Sequence, residues 1–339
     1  MKKRICILYT GGTIGMVPTE LGYAPRPGAL AEYLSAIPDL VSPDAPDWEL
    51  VEMDPLLDSS DITVREWRTI GQDIFDRYND FDGFVVLHGT DTMAYTASAL
   101  SFMLENLAKP VVLTGSQIPL CRIRSDGRDN LITSLLIAAD GRANEVCLYF
   151  GGKLLRGNRA VKSSADGLRA FSSPNYPPLA MAGVNIRYDA AALAGRPPVN
   201  GPLTLSPMHT APIAVLKVFP GIQFQLFESI VTEKLRGIVL ETFGAGNIPN
   251  SDGALLPLIE KAWRSGTVLT VCSQCRSGAV TLGAYATSSA LKKAGAVSGQ
   301  DMTTEAAVAK LYYLFSKGIS PAEVKTAMEH NLRGELTTL

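Results

Sequence analysis

Histidine is scarce in this 339-residue sequence: only His88, His209 and His330 are present, and no GxSxG elbow occurs. A Ser–His–Asp hydrolase is therefore poorly supported. The sequence has no GxxxxGKS/T phosphate loop, and the glycines of its first loop, Gly11, Gly12 and Gly15, do not fit the GxGxxG spacing, so no nucleotide is implied. It has no long run of Lys or Arg, and 31 basic against 33 acidic residues leave a formal charge of −2. That offers a polyanion nothing to hold, and nucleic acid is not an expected partner. No apolar stretch reaches membrane-spanning length, so no membrane partner is expected. The opening MKKRICILYTGG starts like a signal peptide, but its apolar run covers only Ile5 to Tyr9. It reads as the first β-strand of a cytoplasmic protein.

Cysteine is also sparse, five in all, and Cys6, Cys147, Cys272 and Cys275 sit in or beside apolar strand-like runs. They read as buried thiols. Cys272 and Cys275 form a lone CxxC with no second pair or suitably spaced histidine, which gives no metal site. Neither a metal nor an organic cofactor is expected.

What is present is an ordinary globular balance, 46% apolar and 19% charged, in a chain longer than one core usually serves. Short β-rich runs recur, each ending in glycine and small polar residues: ICILY, GFVVLH, PVVLT and CLYF, then IAVLKVF, GIVLETF and TVLTVC. These have the character of buried parallel strands. Helical spacing appears between them over Thr92–Leu107, with Asp91 as its N-cap, and over Asp129–Ala139. Ser320-Pro321-Ala322-Glu323 combines a capping box with proline at the first helical position. Periodicity fails near the prolines at 197, 198, 202 and 207. The fold class is α/β: two open α/β domains with mostly parallel sheets, over 1–190 and 211–339, joined by a linker at 191–210.

In open α/β sheets ligands bind beyond the carboxyl ends of the strands. The residues there are Thr10 to Thr13, Asp58 to Asp61, Gly89 to Thr92, Thr114 to Ser116, and Lys162. Hydroxyls dominate, with carboxylates and one lysine among them. Acyl transfer without histidine then becomes possible: a threonine hydroxyl attacks, and a lysine or second hydroxyl removes its proton. Lys162 can assist directly or through Thr90, with Asp91 holding it in place, while backbone N–H groups of the glycine turns stabilise an oxyanion. Each residue also has a plainer role open to it. Thr13 and the Thr90-Asp91 pair can be helix caps, Asp58-Ser59-Ser60 a turn, Lys162 a solvated charge, and His88 a hydrogen-bonded core residue.

The segments YTGGTIG at 9–15 and HGTDTMAYTA at 88–97 resemble the two signature motifs of the bacterial-type L-asparaginases, and DSSD at 58–61 matches their substrate loop. The likeness continues through VVLTGSQIP at 111–119, Lys162 with SPN at 173–175, FGAGN at 243–247 and NLRGEL at 331–336. It is similar to the cytoplasmic type I branch. The resemblance implies Thr13 as nucleophile on a mobile loop with Tyr23 nearby, and Thr90, Asp91 and Lys162 as the proton-handling group. It implies that Ser59 and its loop, Ser60 included, hold the α-carboxylate of L-asparagine. It also implies that Asp91, with Asp58 supporting the loop, faces the α-amino group and that Ser116 meets the amide end. Asn247 matches a residue lent by a neighbouring subunit, so a homodimer or homotetramer is implied, with the larger domain N-terminal. One departure stands out: some type I members bind effector asparagine with an arginine where this chain has Glu241, near Cys272 to Cys275. A carboxylate there repels the ligand's own carboxylate, and effector control is not expected. A glutaminase-asparaginase, an amidotransferase subunit and a non-catalytic amino-acid sensor remain as alternatives.

Overall fold

A computed structural model of the chain describes residues 2–196, 198–249, 253–283 and 286–337. They form two compact units, Met1–Ser206 and Pro207–Leu339.

The first unit is built on eight strands: β1 (Arg4–Gly11), β2 (Asp47–Leu57), β3 (Gly83–Leu87), β4 (Val111–Thr114), β5 (Val146–Phe150), β6 (Lys153–Arg156), β7 (Ala180–Ala182) and β8 (Ile186–Tyr188). Their order across the sheet is β8-β7-β6-β5-β4-β3-β1-β2. The strands from β1 to β5 run parallel. Every residue of β1 after Arg4 is buried, because helices cover both faces of such a sheet. Ile5, Ile7 and Tyr9 pack with Leu30 and Leu34 of α1 (Ala29–Ser35) and with Leu131 and Leu135 of α4 (Gly127–Asp140). Cys6 and Leu8 face the other way, toward Ile70 and Ile74 of α2 (Val64–Asp76) and Ala97 and Leu100 of α3 (Met93–Met103). The period-2 alternation of the strand thus divides one apolar run between two cores.

Gly151 and Gly152, with φ of 56° and 87°, turn the chain back after CLYF as a tight hairpin, so β6 to β8 are antiparallel additions to the mostly parallel sheet. Two local expectations are corrected. The helix expected over Thr92–Leu107 stops at Met103, because Leu104–Glu105 pairs instead with Thr204–Leu205. Its N-cap is Thr92, with no side-chain capping bond, and not Asp91.

The stretch 191–210 contains the division between the units, but its first four residues are helical and Thr204–Leu205 form a strand. Pro197 lies outside the described residues. Helix α5 (Ala190–Ala194) is capped by Asp189, whose Oδ1 accepts from Ala191 N at 2.9 Å and Ala192 N at 3.0 Å.

The second unit carries four parallel strands side by side in chain order: β9 (Ile213–Lys217), β10 (Gly237–Thr242), β11 (Val268–Ser273) and β12 (Val297–Ser298). Leu240, Leu269 and Val271 pack against Leu258 and Ile259 of α6 (Leu255–Arg264) and Leu291 of α7 (Ala286–Lys293). Helices α8 (Thr304–Ser316) and α9 (Pro321–Met328) follow. The expected capping box at α9 is present: Glu323 N donates to Ser320 Oγ at 3.3 Å, and Ser320 N donates to the Glu323 carboxylate at 2.8 Å. Among the described residues no helix is long and apolar enough to cross a membrane.

Candidate active site

Strand order decides where a pocket can open. The chain leaving β1 crosses to β2 on one side and the chain leaving β3 crosses to β4 on the other, so the strand order reverses between β1 and β3, the place beyond the carboxyl ends where such a sheet opens a crevice. Thr13 follows β1, and Thr90 and Asp91 follow β3.

Glycines let these loops close on one another. Gly12 has φ of 86°, and a Cβ there would stand 2.4 Å from the backbone nitrogen of Gly89. A Cβ on Gly89 would stand 2.5 Å from Ser59 Oγ, and one on Gly115 would stand 2.4 Å from the His88 carbonyl oxygen. No larger residue fits at these contacts without moving backbone or the buried Ser59 side chain. The ends of β1, β2, β3 and β4 are therefore drawn together, and with them the 13, 59, 90 and 116 positions.

At their meeting point Lys162 Nζ donates to Thr90 Oγ1 at 2.9 Å and to Asp91 Oδ1 at 2.5 Å. Lys162 arrives on the short strand Val161–Lys162, fixed by antiparallel pairing with Phe171–Ser172. Thr90 is buried, whereas the Asp91 carboxylate is largely exposed. The capping roles open to Thr90 and Asp91 are thus not the ones they take. Thr13 begins a 3-10 turn, Thr13–Gly15, whose N-cap is Gly12, so it caps nothing either.

The loop after β2 is a second 3-10 turn, Ser59–Asp61, capped by Asp58. Asp58 Oδ1 accepts from Ser60 N and Ser60 Oγ, each at 2.9 Å, and Thr92 Oγ1 donates to the Ser59 carbonyl at 2.7 Å. Asp58 and Ser60 therefore build the loop, and Ser59 is presented by it. Among the described residues no group hydrogen-bonds the Thr13, Ser59 or Ser116 hydroxyl; that of Ser116 is buried without a partner. Thr10 and Thr114 differ: Thr10 Oγ1 donates to the Leu87 carbonyl at 3.1 Å and Thr114 Oγ1 to that of Tyr149 at 2.8 Å, tying strand to strand.

Tyr23 lies on the hairpin Met16–Thr19/Gly22–Pro25 directly after the Thr13 turn. It is 42% exposed, and its hydroxyl accepts from Arg122 Nη1 at 3.0 Å rather than bonding Thr13. Asn247 stands in the second unit, where its Oδ1 accepts from Thr287 Oγ1 at 3.0 Å.

His88 is fully buried and structural. Trp67 Nε1 donates to Thr96 Oγ1 at 3.0 Å, so the Thr96 hydroxyl donates to His88 Nε2 at 2.9 Å, and His88 Nδ1 donates to the Gly89 carbonyl at 2.7 Å. Burial pushes its pKa down to about 4, and the ring is neutral. Of the CxxC pair, Cys272 is a buried thiol raised to about 12 by burial, but Cys275 is exposed, because β11 ends at Ser273. The expectation of a buried thiol fails there.

One residue of this site is not singled out by the sequence pattern. Gln117 Oε1 accepts from the Thr90 hydroxyl at 3.2 Å. Its position beside Ser116 in TGSQIP is the available signal.

Comparison with known proteins follows the same division of the chain. The family described as "Asparaginase, N-terminal" matches residues 4–193, and "Glutaminase/Asparaginase C-terminal domain" matches residues 212–328. The chain is 48% identical to L-asparaginase 1 of Escherichia coli K12 over 336 residues, covering 99% of this chain and 98% of that one. The crystal structure of L-asparaginase I from Vibrio cholerae superposes with a TM-score of 0.91 at 45% identity, covering 100% of both chains. A more distant relative is a glutamyl-tRNA(Gln) amidotransferase component of Thermococcus kodakarensis, 33% identical over 98% of this chain and 76% of that one.

Proposed function

The chain belongs to the asparaginase family, and from that premise we infer that it hydrolyses the side-chain amide of L-asparagine to L-aspartate and ammonia. The observation that carries the assignment of parts is Lys162 Nζ, 2.9 Å from Thr90 Oγ1 and 2.5 Å from Asp91 Oδ1, beside a glycine turn that leaves the Thr13 hydroxyl unclaimed. Thr13 Oγ1 attacks the amide carbon, and its proton passes through Thr90 to Lys162, which acts as base in its amine form. Backbone N–H groups of the glycine turns stabilise the tetrahedral oxyanion. The proton leaves with ammonia, and a β-aspartyl ester on Thr13 remains for water to hydrolyse.

In this reading Ser59, on the turn built by Asp58 and Ser60, holds the α-carboxylate. Asp91 faces the α-amino group, Ser116 the amide end, and Tyr23 closes over the site with its hairpin. Asn247 comes from a neighbouring subunit of a homodimer or homotetramer. The compartment is the cytoplasm, which suits five free cysteines. With Glu241 accepting from Thr304 Oγ1 at 2.6 Å in place of an effector-binding cation, kinetics are hyperbolic in asparagine; sigmoid kinetics would overturn that point.

Ammonia release from asparagine and glutamine tests the substrate. One methylene is worth only about 1–3 kcal/mol of discrimination, so comparable turnover of glutamine would move the assignment to a glutaminase-asparaginase. Binding of asparagine with no ammonia over hours would make the protein a sensor. For the nucleophile, Thr13→Ala should bind substrate and form no ester. Rapid quenching of a slowed Lys162 variant, followed by peptide mass analysis, should place the ester on Thr13. An ester on Thr90 would overturn the assignment.

A further inference from the structure

Among the described residues the Thr90 hydroxyl has two hydrogen-bond partners. At rest Lys162 Nζ donates to the hydroxyl oxygen at 2.9 Å. The side-chain oxygen of Gln117 can only accept, so the hydroxyl proton points to it across 3.2 Å. What makes Gln117 present oxygen and not nitrogen is its other end: Nε2 donates to the Ala165 carbonyl at 3.1 Å and to the Gly167 carbonyl at 3.3 Å. Turning the amide over would set its oxygen against two carbonyl oxygens.

The residue is anchored independently. Its backbone N–H, with that of Ile118, donates to the Asp126 carboxylate at 3.0–3.1 Å. Those bonds consume Asp126, which sits at the head of α4 without capping it through its side chain. The 163–168 segment is in turn folded on itself, since Gly167 N donates to Ser164 Oγ at 2.9 Å and Ser163 N donates to the Ala170 carbonyl at 2.7 Å. A chain of donors therefore runs in one direction, from Lys162 through Thr90 to Gln117 and into two fixed carbonyls.

Resting on the reading of Thr90 and Lys162 as the proton-handling pair, we infer that Gln117 is a positioning residue of the reaction, whose side-chain oxygen holds the Thr90 hydroxyl against Lys162 in the resting site, from where that hydroxyl turns its proton to the lysine when the lysine acts as base. Gln117 acts through Thr90. Without it the Thr90 side chain loses a fixed partner, and the fraction of molecules with its hydroxyl in contact with Lys162 falls. The effect belongs to turnover and not to substrate affinity.

The test is a double-mutant cycle on the whole enzyme. Gln117→Met keeps the length of the side chain and removes the acceptor; Gln117→Ala, which also removes its bulk, is the second variant should the first fold poorly. In the wild-type background each should lower kcat roughly tenfold, the worth of one well-placed hydrogen bond, with KM within about twofold. In a Thr90→Ala background, assayed at high enzyme concentration, neither should lower the residual kcat further. A full tenfold effect that persists without Thr90 would make Gln117 merely structural and overturn the inference, as would unchanged kcat in the wild-type background. Should Thr90→Ala and Lys162→Met themselves leave kcat intact, it is the reading of the proton-handling pair that fails, a result distinguishable from the failure of Gln117 alone.

Discussion

Each unit of the molecule contains a lysine bonded to a carboxylate, and the two pairs are built for opposite purposes. In the second unit Lys310 and Glu335 are both 0% exposed and 2.6 Å apart. Lys310 Nζ also donates to the Met328 carbonyl at 3.0 Å and the His330 carbonyl at 2.5 Å, so all three protons are spoken for. Glu335 accepts from Leu332 N at 2.9 Å and Arg333 N at 2.6 Å. In the first unit Lys162 is 19% exposed and Asp91 65%, and among the described residues Nζ has two partners, not three. A saturated buried pair clamps a segment, here the chain after α9, onto α8. An unsaturated pair facing solvent has little to offer stability and is free to exchange partners with a ligand.

The largest effect that tests this contrast is on turnover. Lys162→Met should lower kcat by on the order of 10²–10⁴, as loss of a proton-handling group does, while unfolding free energy changes by no more than about 1 kcal/mol. Ammonia release and urea denaturation on the same preparation separate the two. A large loss of stability with near-normal turnover of the folded fraction would make this lysine the clamp and not the catalyst.

The reciprocal variant comes next. Lys310→Met leaves the Glu335 carboxylate buried without its cation, which costs about 3–5 kcal/mol. Lys310→Met/Glu335→Gln should recover part of that, because the orphaned charge and not the lost attraction is the main penalty. Urea midpoints read both, and kcat per folded molecule should stay within about threefold, a change of under 1 kcal/mol. If the single variant were no less stable than wild type, the distinction between the two lysines would collapse.

The contrast between the pairs also explains what a sequence can and cannot disclose. The buried strands and the polar loops that end them are legible, since both are local patterns of residue type. The hairpin at Gly151-Gly152 is not, because glycines after a strand fit a loop equally well. Thr90 and Asp91 look as much like caps as like catalytic groups, for their true partner lies more than 70 residues along the chain. Gln117 is hidden for the same reason, its amide being fixed by carbonyls about 50 residues away. Nothing in the composition of a lysine tells whether its third proton has a partner; only the fold does.

The smallest expected effect concerns the histidine beneath the loop that carries Thr90, and it separates support of the site from its chemistry. His88 is buried neutral between Thr96 and the Gly89 carbonyl, with its pKa depressed from 6.5 to about 4. A depressed pKa means that between those values the unfolded chain binds a proton that the folded chain refuses. Stability from this group is therefore complete above pH 6.5, falls as pH drops toward 4, and levels off below. From pH 7 to pH 5 the loss is about 2 kcal/mol. Glu66, held down to about 2 by its bonds to Thr63 and Arg65, contributes a similar fall only at lower pH, below its ordinary 4.5, so the two windows separate. Urea unfolding at half-unit steps from pH 7 to 4 should show the slope, and His88→Gln should flatten it while lowering stability throughout, because Thr96 and Gly89 lose a shaped partner. Turnover of the folded enzyme over the same interval should not follow the His88 titration, since both ring nitrogens are taken up by Thr96 and the Gly89 carbonyl and bond none of the groups assigned a step. An activity profile that tracked the stability slope, and flattened with it in His88→Gln, would place His88 within the reaction and undo the separation.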